Sequence, residues 1–458
     1  MQNYFRILIK GTIVVFVYSL FASSTANAQN KNDSIQYLDL DQCIVYALLH
    51  QPAVMQSSIA ISITNKTNTI NNSAWLPQVG VNGNFTHYTQ LPTTFFANST
   101  PGGPVIQQRT GIINTFVPQI AVSQVIFNPD VLNAAKSAHL YVELAKQSND
   151  STKINAIASV SKAFYSLLVT LEQINVLKED TARLAKNLRD AYHQYIGGIV
   201  DQTDYKEAFI SLNNSRAQLK QANESVLPLY ATLKQLMGFP MEKNFSVSFD
   251  AVRMMEQIGF DTTQQIDYEK RIEYQLLQTV KKLQQQNVNY YRTQYLPSLS
   301  ANYTYVHEFE NNSVSNLFSQ AYPYSFWGAS ISLPIFTGFR RTASIQRAKL
   351  QVQQIDWEII NLKARIYSEY SDALANYKSN LFDLKVLRDN KKMARDVYGV
   401  VSLQYQQGVI PYLNVITAES NLISSDISYL NALFQVLSNK VDLEKALGNT
   451  LSKEAPSQ

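Results

Sequence analysis

The second half of the chain repeats landmarks of the first half at a constant offset of 210 residues. Tyr195 and Gly198 recur as Tyr405 and Gly408, and the glycine at 238 recurs at 448. Three more pairs keep the same offset: Ala208 and Ala418, Leu212 and Leu422, and Ser215 and Ser425. A duplicated unit of this length predicts a ring-like assembly with internal pseudo-symmetry and argues against one enzyme site.

Residues 1–28 have the pattern of an export signal. Arg6 and Lys10 are basic, residues 13–22 are mostly apolar, and Ala26-Asn27-Ala28 places small side chains around a cleavage site. The apolar run is shorter than the ~20 residues that a transmembrane helix needs. The sequence therefore predicts a cleaved signal peptide. No cysteine follows the cleavage site, so no lipid anchor is expected there.

Charge and cysteine content exclude several classes of protein. Without Arg6 and Lys10 the chain has 37 Lys and Arg against 35 Asp and Glu, a balance that argues against a nucleic-acid partner. Cys43 is the only cysteine, so neither an intramolecular disulfide nor a cysteine-cluster metal site is expected. No phosphate loop, zinc-ligand spacing or nucleophile motif is present. We therefore expect no enzyme activity, cofactor or metal site, and we interpret Glu179 and Asp180 as solvated helix-face charges.

Four segments alternate between apolar and polar residues, which places the two kinds on opposite faces of a strand. The apolar positions are Val79, Val81 and Phe85; Ile120 and Val122; Leu299, Ala301, Tyr303 and Tyr305; and Trp327, Ala329, Ile331 and Leu333. Aromatic residues suited to interfacial girdles flank them: Trp75, Tyr88, Phe116, Phe127, Tyr291, Tyr295, Tyr322, Tyr324 and Phe336. The pattern predicts transmembrane strands, in hairpins over residues 78–127 and 298–336 with loops at 92–114 and 310–321.

These strands need partners from other chains. After residue 28 we find no apolar run long enough to cross a bilayer as a helix, so strands would have to span the membrane. Open sheet edges are not tolerated in lipid, and four strands cannot close by themselves. Two chains would give eight strands and a filled interior, whereas three chains would give twelve strands and a lumen.

Two stretches predict helices far longer than a compact domain. No Pro or Gly occurs between Asp130 and Ile196 or between Phe339 and Tyr398, so each helix would extend roughly 100 Å. In the second stretch one apolar stripe runs through Val352, Ile355, Ile359, Leu362, Ile366, Ala373, Tyr377, Leu381 and Leu384. This pattern predicts coiled-coil or helical-barrel packing of helical hairpins over residues 130–238 and 339–448.

Each long helix ends at a glycine turn that is followed by two apolar residues. The turns are Gly198-Ile199-Val200 and Gly408-Val409-Ile410. Apolar side chains at a solvated tip favour a docking surface, and packing against each other or within the oligomer is the alternative.

With these features together, the chain resembles the TolC family of outer-membrane efflux and secretion channels from residue 40 to residue 448. The Leu-Pro pairs at 76–77 and 296–297 are also typical of that family. The resemblance implies a mixed fold: a trimeric, 12-stranded transmembrane β-barrel with four strands per chain, continuing into a long periplasmic α-helical coiled-coil barrel, with two structural repeats per chain. The implied layout is a signal peptide (1–28), a first repeat (29–240), an equatorial linker (241–270), a second repeat (271–448) and a polar tail (449–458), each repeat opening with a short helix.

The function implied by the resemblance is an outer-membrane exit duct of a Gram-negative bacterium, which passively conducts substrates in a tripartite efflux or type I secretion system. The implied partners are two further copies of the chain, outer-membrane lipid, a periplasmic membrane-fusion adaptor at the tips and, through the adaptor, a proton-driven or ATP-driven inner-membrane pump. The other function considered is a soluble periplasmic coiled-coil adaptor or structural protein, which leaves the alternating strands unexplained.

The two tips differ where the family places a constriction. Acidic residues after the second turn help to close related channels, but here Asn414 stands at the position equivalent to Asp204, and Thr417 lies one turn later. Ile410 also replaces a basic residue of some members. These departures argue against a carboxylate ring after the second turn, and the candidate gate residues are Asp204, Tyr405, Asn414 and Thr417.

Overall fold

The computed structural model describes residues 36–97, 104–248 and 258–449. The expected signal peptide (1–28) lies outside these residues. So do residues 450–458 of the expected tail, residues 249–257 of the expected linker and residues 98–103 of the first loop.

The two halves of the chain show the same order of main elements. The first half contains β1 (Gln36–Leu38), α1 (Leu40–His50), α2 (Pro52–Ser73), β2 (Gln78–His87), β3 (Thr93–Phe96), β4 (Ile106–Arg109), β5 (Asn114–Phe127), α3 (Pro129–Ile196) and α4 (Gln202–Met237). The second half contains β6 (Phe245–Val247), α5 (Ile272–Thr293), β7 (Ser298–Asn311), β8 (Ala321–Ser332), α6 (Arg340–Gln406) and α7 (Tyr412–Ala446). In each half a strand pair is therefore followed by one very long helix and a shorter return helix.

The main sheet is antiparallel in the order β2-β5-β7-β8, so strands from the two halves pair at its centre. Its register gathers apolar residues on one face: Val79, Val81, Phe85, Phe116, Ile120, Val122, Leu299, Tyr303, Tyr305, Trp327 and Ile331. Asn, Ser, Thr and Gln predominate on the opposite face. Within the described residues, the outer edges of β2 and β8 have no strand partner.

Two expectations about this sheet were wrong. Tyr322 and Tyr324 lie on its polar face, opposite Glu308 and Val306, and therefore do not join the aromatic residues of the apolar face. The loop expected at residues 92–114 contains a further hairpin, in which β3 pairs with β4. Cross-strand register decides the first point, and aromatic spacing along one strand does not reveal it.

The last strand is also shorter than expected, because β8 ends at Ser332 and leaves out Leu333. Pro334 has no N–H to donate to a neighbouring strand. The guanidinium group of Arg341 donates hydrogen bonds to the carbonyl oxygens of Pro334 and Ile335, and it lies 4.3 Å from the ring centre of Tyr295. Arg341 therefore satisfies the backbone groups that the strand leaves unpaired at the junction with α6.

The two long helices have 68 and 67 residues, so each extends roughly 100 Å. Most of the stripe expected along α6 is buried: Ile355, Ile359, Leu362, Ile366, Ala373, Tyr377 and Leu384. Leu381 is exposed, so the stripe is interrupted at that position.

We expected no helical segment long and apolar enough to cross a bilayer. Judged by length and composition alone, that expectation was wrong. One segment of α3 is long and apolar enough, and α1 with α2, bent by 43°, passes the same criterion as a pair. Most of the α3 segment is buried within the chain. That burial is typical of a core helix, and the segment lies where α3 packs against the other helices in the main core.

The main core lies where α1, α3, α4, α6 and α7 meet. Its least exposed side chains include Leu167, Leu233, Met237, Tyr377 and Leu443. Cys43 packs into the same core, and burial, assisted by Asp39, raises the pKa of its thiol to about 12. The cysteine therefore behaves as a small apolar side chain.

Two equivalent glycines close the return helices. Gly238 ends α4 with φ 68°, and a Cβ atom there would lie 2.4 Å from the carbonyl oxygen of His50. Gly448 follows α7 with φ 75°, and its Cβ would lie 2.7 Å from the carbonyl oxygen of Lys270. The repeated glycines thus permit the same close backbone approach in both halves.

We expect Gly238→Ala to lower the free energy of unfolding by at least ~1 kcal/mol from the left-handed backbone alone, and by more through the contact with His50. Thermal unfolding of the purified protein measures the loss. Gly399→Ala is the matched control, because Gly399 lies inside α6 with open space around its Cβ position. That control should raise stability by up to ~1 kcal/mol, and equal behaviour of the two variants would contradict the role of Gly238.

Candidate functional site: the helical tips

The two tip turns have nearly identical backbone geometry. Gly198 and Gly408 adopt φ values of 69° and 71°. In each turn the glycine N–H donates to the carbonyl oxygen three residues earlier, at 3.0 Å from Gly198 and 2.9 Å from Gly408. The next residue, Ile199 or Val409, donates to a carbonyl oxygen five residues earlier at 2.9 Å. These bonds satisfy the last carbonyl groups of α3 and α6 and reverse the chain within a few residues.

The four apolar turn residues divide into an exposed and a half-buried pair. Ile199 is 73% exposed and Val409 is 67% exposed. Val200 and Ile410 are half-buried. A groove of about 780 Å³ runs between the two turns and is lined by all four of these residues. The tips therefore present both an apolar prominence and an adjacent recess.

A small core around two tyrosines adjoins this groove, and Tyr405 is also part of the groove lining. Tyr405 and Tyr412 are buried, with ring centres 5.1 Å apart, and they pack with Ala191, Ala208 and Val415. Within the described part of the chain neither hydroxyl group has a hydrogen-bond partner. Burial, followed by the charges of the nearby Asp204 and Asp190 carboxylates, raises the pKa of Tyr405 to about 12. Tyr405 is thus a packed, neutral side chain between the two hairpins, and Tyr412 is its partner that sequence reasoning missed.

The other candidate gate residues lie at different depths. Asp204 is half-buried in the first turn of α4, and burial together with Asp201 raises the pKa of its carboxyl group. Asn414 and Thr417 are exposed on α7. The Thr417 hydroxyl donates to the carbonyl oxygen of Leu413 at 2.9 Å. The structure therefore brings Asp204 near Tyr405, whereas Asn414 and Thr417 face away from the tyrosine core.

Further along the hairpins, away from the tips, buried carboxylates meet half-buried cations between helices. Nε of Arg183 in α3 donates to the Glu419 carboxylate of α7 at 3.1 Å, and the same guanidinium contacts the Asp180 carboxylate. It also lies 4.9 Å from the ring centre of Tyr398 in α6. Asn187 donates to Glu419 at 3.3 Å. This group joins the first hairpin to the second.

A second ion pair continues the group. Nζ of Lys391 in α6 lies 2.9 Å from the Asp426 carboxylate of α7. We call Asp180, Arg183, Lys391, Glu419 and Asp426 the buried charge cluster.

The interpretation of Asp180 as a solvated charge was wrong, since its exposure is 1%. Its spacing of three residues from Leu177 and four from Leu184, both buried, is the signal that places it on the packed face.

We also looked for side chains near one another that could bind a metal ion. Among the described residues, no three His, Cys, Asp or Glu side chains are placed to share a metal ion.

Comparison with known proteins identifies the family. The model of the outer membrane efflux protein family matches residues 43–239 and 276–449, which is most of the chain and includes both tips. The chain belongs to the outer membrane efflux protein family. This membership confirms the resemblance and places the protein in the outer membrane, with the long helices as a periplasmic extension. It does not fit the alternative of a soluble periplasmic adaptor.

Individual relatives are distant from this chain in sequence. The probable efflux pump outer membrane protein TtgC of Pseudomonas putida is 24% identical over 318 residues, which cover 66% of this chain and 62% of TtgC. The alkaline protease secretion protein AprF of Pseudomonas aeruginosa is 19% identical, and the match covers 75% of this chain and 74% of AprF. The chain thus matches less than two thirds of the length of TtgC.

Solved structures extend the likeness to the whole fold. The outer membrane channel CmeC of Campylobacter jejuni superposes with a TM-score of 0.71 at 18% identity, covering 91% of this chain and 87% of CmeC. The chain therefore has the fold of a TolC-type outer-membrane channel protein.

Proposed function

We propose that the protein is the outer-membrane exit duct of an efflux or type I secretion system and conducts its substrates passively. The observation that carries this proposal is the direct continuation of an apolar, exposed sheet face into amphipathic helices roughly 100 Å long. An exposed apolar strand face requires lipid, whereas helices with charged outer faces require water. One chain built from both kinds of surface reaches from the membrane into the periplasm.

Three copies of the chain form the channel. Each supplies four strands to a 12-stranded barrel, which closes the free edges of β2 and β8. A second apolar stripe on α6 supports packing between copies, because it is exposed in the single chain: Leu350, Trp357, Ile360, Tyr367, Phe382, Met393, Val397 and Val400. The two halves of each chain act as structural repeats, so the helical barrel contains six quasi-equivalent units.

The orientation of the sheet gives a direct test. Ala329 and Ser330 are neighbours on β8 with side chains on the apolar and the polar face respectively. We expect Ala329→Arg to destabilise the inserted barrel by ~2–4 kcal/mol near the membrane midplane. Ser330→Arg, the matched control, should leave assembly unchanged.

Detergent extraction followed by native mass spectrometry measures membrane-inserted trimer in both variants and in the parent. A parent protein that is recovered in the soluble fraction without detergent, or as a monomer after extraction, would contradict the duct. If Ala329→Arg and Ser330→Arg give equal amounts of membrane-inserted trimer, the assignment of the apolar face to lipid is contradicted.

The tips bind a periplasmic membrane-fusion adaptor, which connects the duct to an inner-membrane pump. Ile199 and Val409 supply the prominent apolar contacts, and Val200 and Ile410 line the recess beside them. Gly198 and Gly408 set the turn geometry that places these side chains. Two apolar residues held on a rigid turn suit an apolar pocket or helix groove of a partner.

The tip also contains the gate. Tyr405 and Asp204 lie close together at the contact between the hairpins, where separation of the hairpins would expose both. Asn414 and Thr417, exposed on α7, narrow the passage by size and polarity without a carboxylate ring. Relatives include an efflux pump component and a protease secretion component, so both cargo classes remain within this proposal.

A further inference from the structure

The buried charge cluster contains more acids than bases. Asp180 and Glu419 are each 1% exposed and Asp426 is 4% exposed. Among the described residues, two cations, Arg183 and Lys391, contact these three carboxylates. With every carboxyl group ionised, the cluster would hold one uncompensated negative charge between packed helices, which is unfavourable for buried carboxylates.

Among the described residues, two carboxyl oxygens of the cluster are buried without a hydrogen bond, Oδ2 of Asp180 and Oδ1 of Asp426. Oδ1 of Asp426 lies 2.9 Å from Nζ of Lys391, so the Asp180 oxygen is the one without a nearby cation. A proton on this carboxyl group would remove the excess charge. The other oxygen of Asp180 already accepts from Arg183, so protonation of Oδ2 leaves that contact in place.

The surrounding groups favour proton binding. On α3, burial acts first to raise the pKa of Asp180, and Asp426 and Glu179 raise it further against the lowering effect of Arg183. On α7, burial raises the pKa of Glu419, with Arg183 and Asn187 opposing and Asp180 assisting. Lys391 and Tyr398 face the cluster from α6, and Tyr412 faces Glu419 from α7. The fourth helix, α4, contributes the uncharged Ser215 hydroxyl, which lies 2.9 Å from Thr181.

The cluster spans the contact between the two hairpins. Arg183 and Asn187 belong to α3, and both donate to Glu419 of α7. The seam between α3 and α7 contains other polar links, but they are more exposed. In the pair formed by Lys162 and Asp442, for example, the side chains are 37% and 42% exposed. The charge cluster is therefore the place where this seam depends on ionisation.

We propose that the buried charge cluster binds one proton, shared by Asp180 and Glu419, and that this proton holds the two hairpins together near the tip. The proposal rests on the function proposed above and adds to it a regulation by periplasmic pH. The packed seam binds the proton more tightly than a separated, hydrated seam would, because burial disfavours the ionised carboxyl group.

The direction of the pH effect follows from this difference. Below the ordinary carboxyl pKa the proton is bound in both arrangements, and the packed seam keeps its full stability. As pH rises through the raised pKa, the packed seam loses its proton, the excess negative charge returns, and separation of the hairpins becomes easier. Acid therefore favours the closed tip, and pH above the raised pKa favours opening.

The test uses the full-length trimer in planar bilayers, with K⁺ as the permeating ion. We expect open probability to rise between pH ~5 and pH ~8, by about tenfold for each unit that separates the packed and separated pKa values. Asp180→Asn mimics the protonated carboxyl group and should keep the channel mostly closed, with less than about a twofold change over the same range. Asp442→Asn, which neutralises the exposed pair of the same seam, should retain the parent response.

Amide hydrogen exchange of residues 180–196 and 412–426 gives a second readout that does not require conduction. The parent should exchange faster at high pH after correction for intrinsic rates, and Asp180→Asn should not. A parent response that persists in Asp180→Asn would overturn the proposal that a bound proton holds the hairpins together. The absence of any channel, with the exchange pattern as expected, would instead contradict only the proposed duct.

Discussion

Replacing Ile199 and Val409 together by Asp is expected to abolish export while leaving trimer assembly intact. Both side chains are largely exposed at the tips, so the substitutions remove little packing within the chain. Placing a carboxylate in an apolar docking contact costs several kcal/mol. A total of about 3 kcal/mol already weakens adaptor binding roughly hundredfold.

The measurement compares dye accumulation in cells whose own copy is deleted and replaced by each variant, alongside native mass analysis of the trimer. Leu227→Asp is the matched control, since Leu227 is also exposed, at 77%, but lies in the far half of α4. Normal export by the double variant would refute the docking assignment. Loss of trimers in that variant would show that the tip residues pack within the oligomer.

Arg183→Met is expected to lower the free energy of unfolding by ~3–5 kcal/mol, because it leaves the buried Asp180 and Glu419 carboxylates without their shared cation. Lys162→Met provides the matched control in the same seam. Its pair with Asp442, with a separation of 2.6 Å, is partly exposed, so the loss there should be ~0–1 kcal/mol.

Chemical unfolding of the purified trimer, together with hydrogen exchange at the tips, measures both losses. Adding Asp180→Asn and Glu419→Gln to Arg183→Met removes the unpaired charges and should recover most of the stability. Failure of this rescue would indicate that Arg183 acts through packing on Tyr398. Equal effects of Arg183→Met and Lys162→Met would contradict a special role for the buried pair.

Much of the architecture can be predicted from the sequence, because its signals are periodic and local. Pro and Gly are absent from residues 130–196 and 339–398, which allows long continuous helices α3 and α6. Alternation along β2 and β7 predicts their two faces, and the repeated glycines mark the ends of the helices. Each of these signals is contained within one segment, so no knowledge of its neighbours is needed.

The details of the site depend on neighbours in space. Asp180 follows Glu179 in sequence like an ordinary surface charge, yet Arg183 and Glu419 enclose it. Tyr405 was recognisable as a tip residue, but its contact with Tyr412 results from the packing of α6 on α7. Such contacts join different helices and leave only a weak trace in sequence spacing.

The sequence by itself determined the duplicated plan, the two very long helices, the glycine turns and the apolar residues at the tips, because each follows from the preferences of a short stretch of chain. Only the tertiary structure decided that Tyr322 and Tyr324 lie on the polar face, that β8 stops before Pro334, and that three carboxylates share two cations between the hairpins. These outcomes depend on strand register and on which helix faces meet. Register and helix contacts are set by packing over the whole molecule, where burial changes the free energy of a charge far more than its sequence neighbours do.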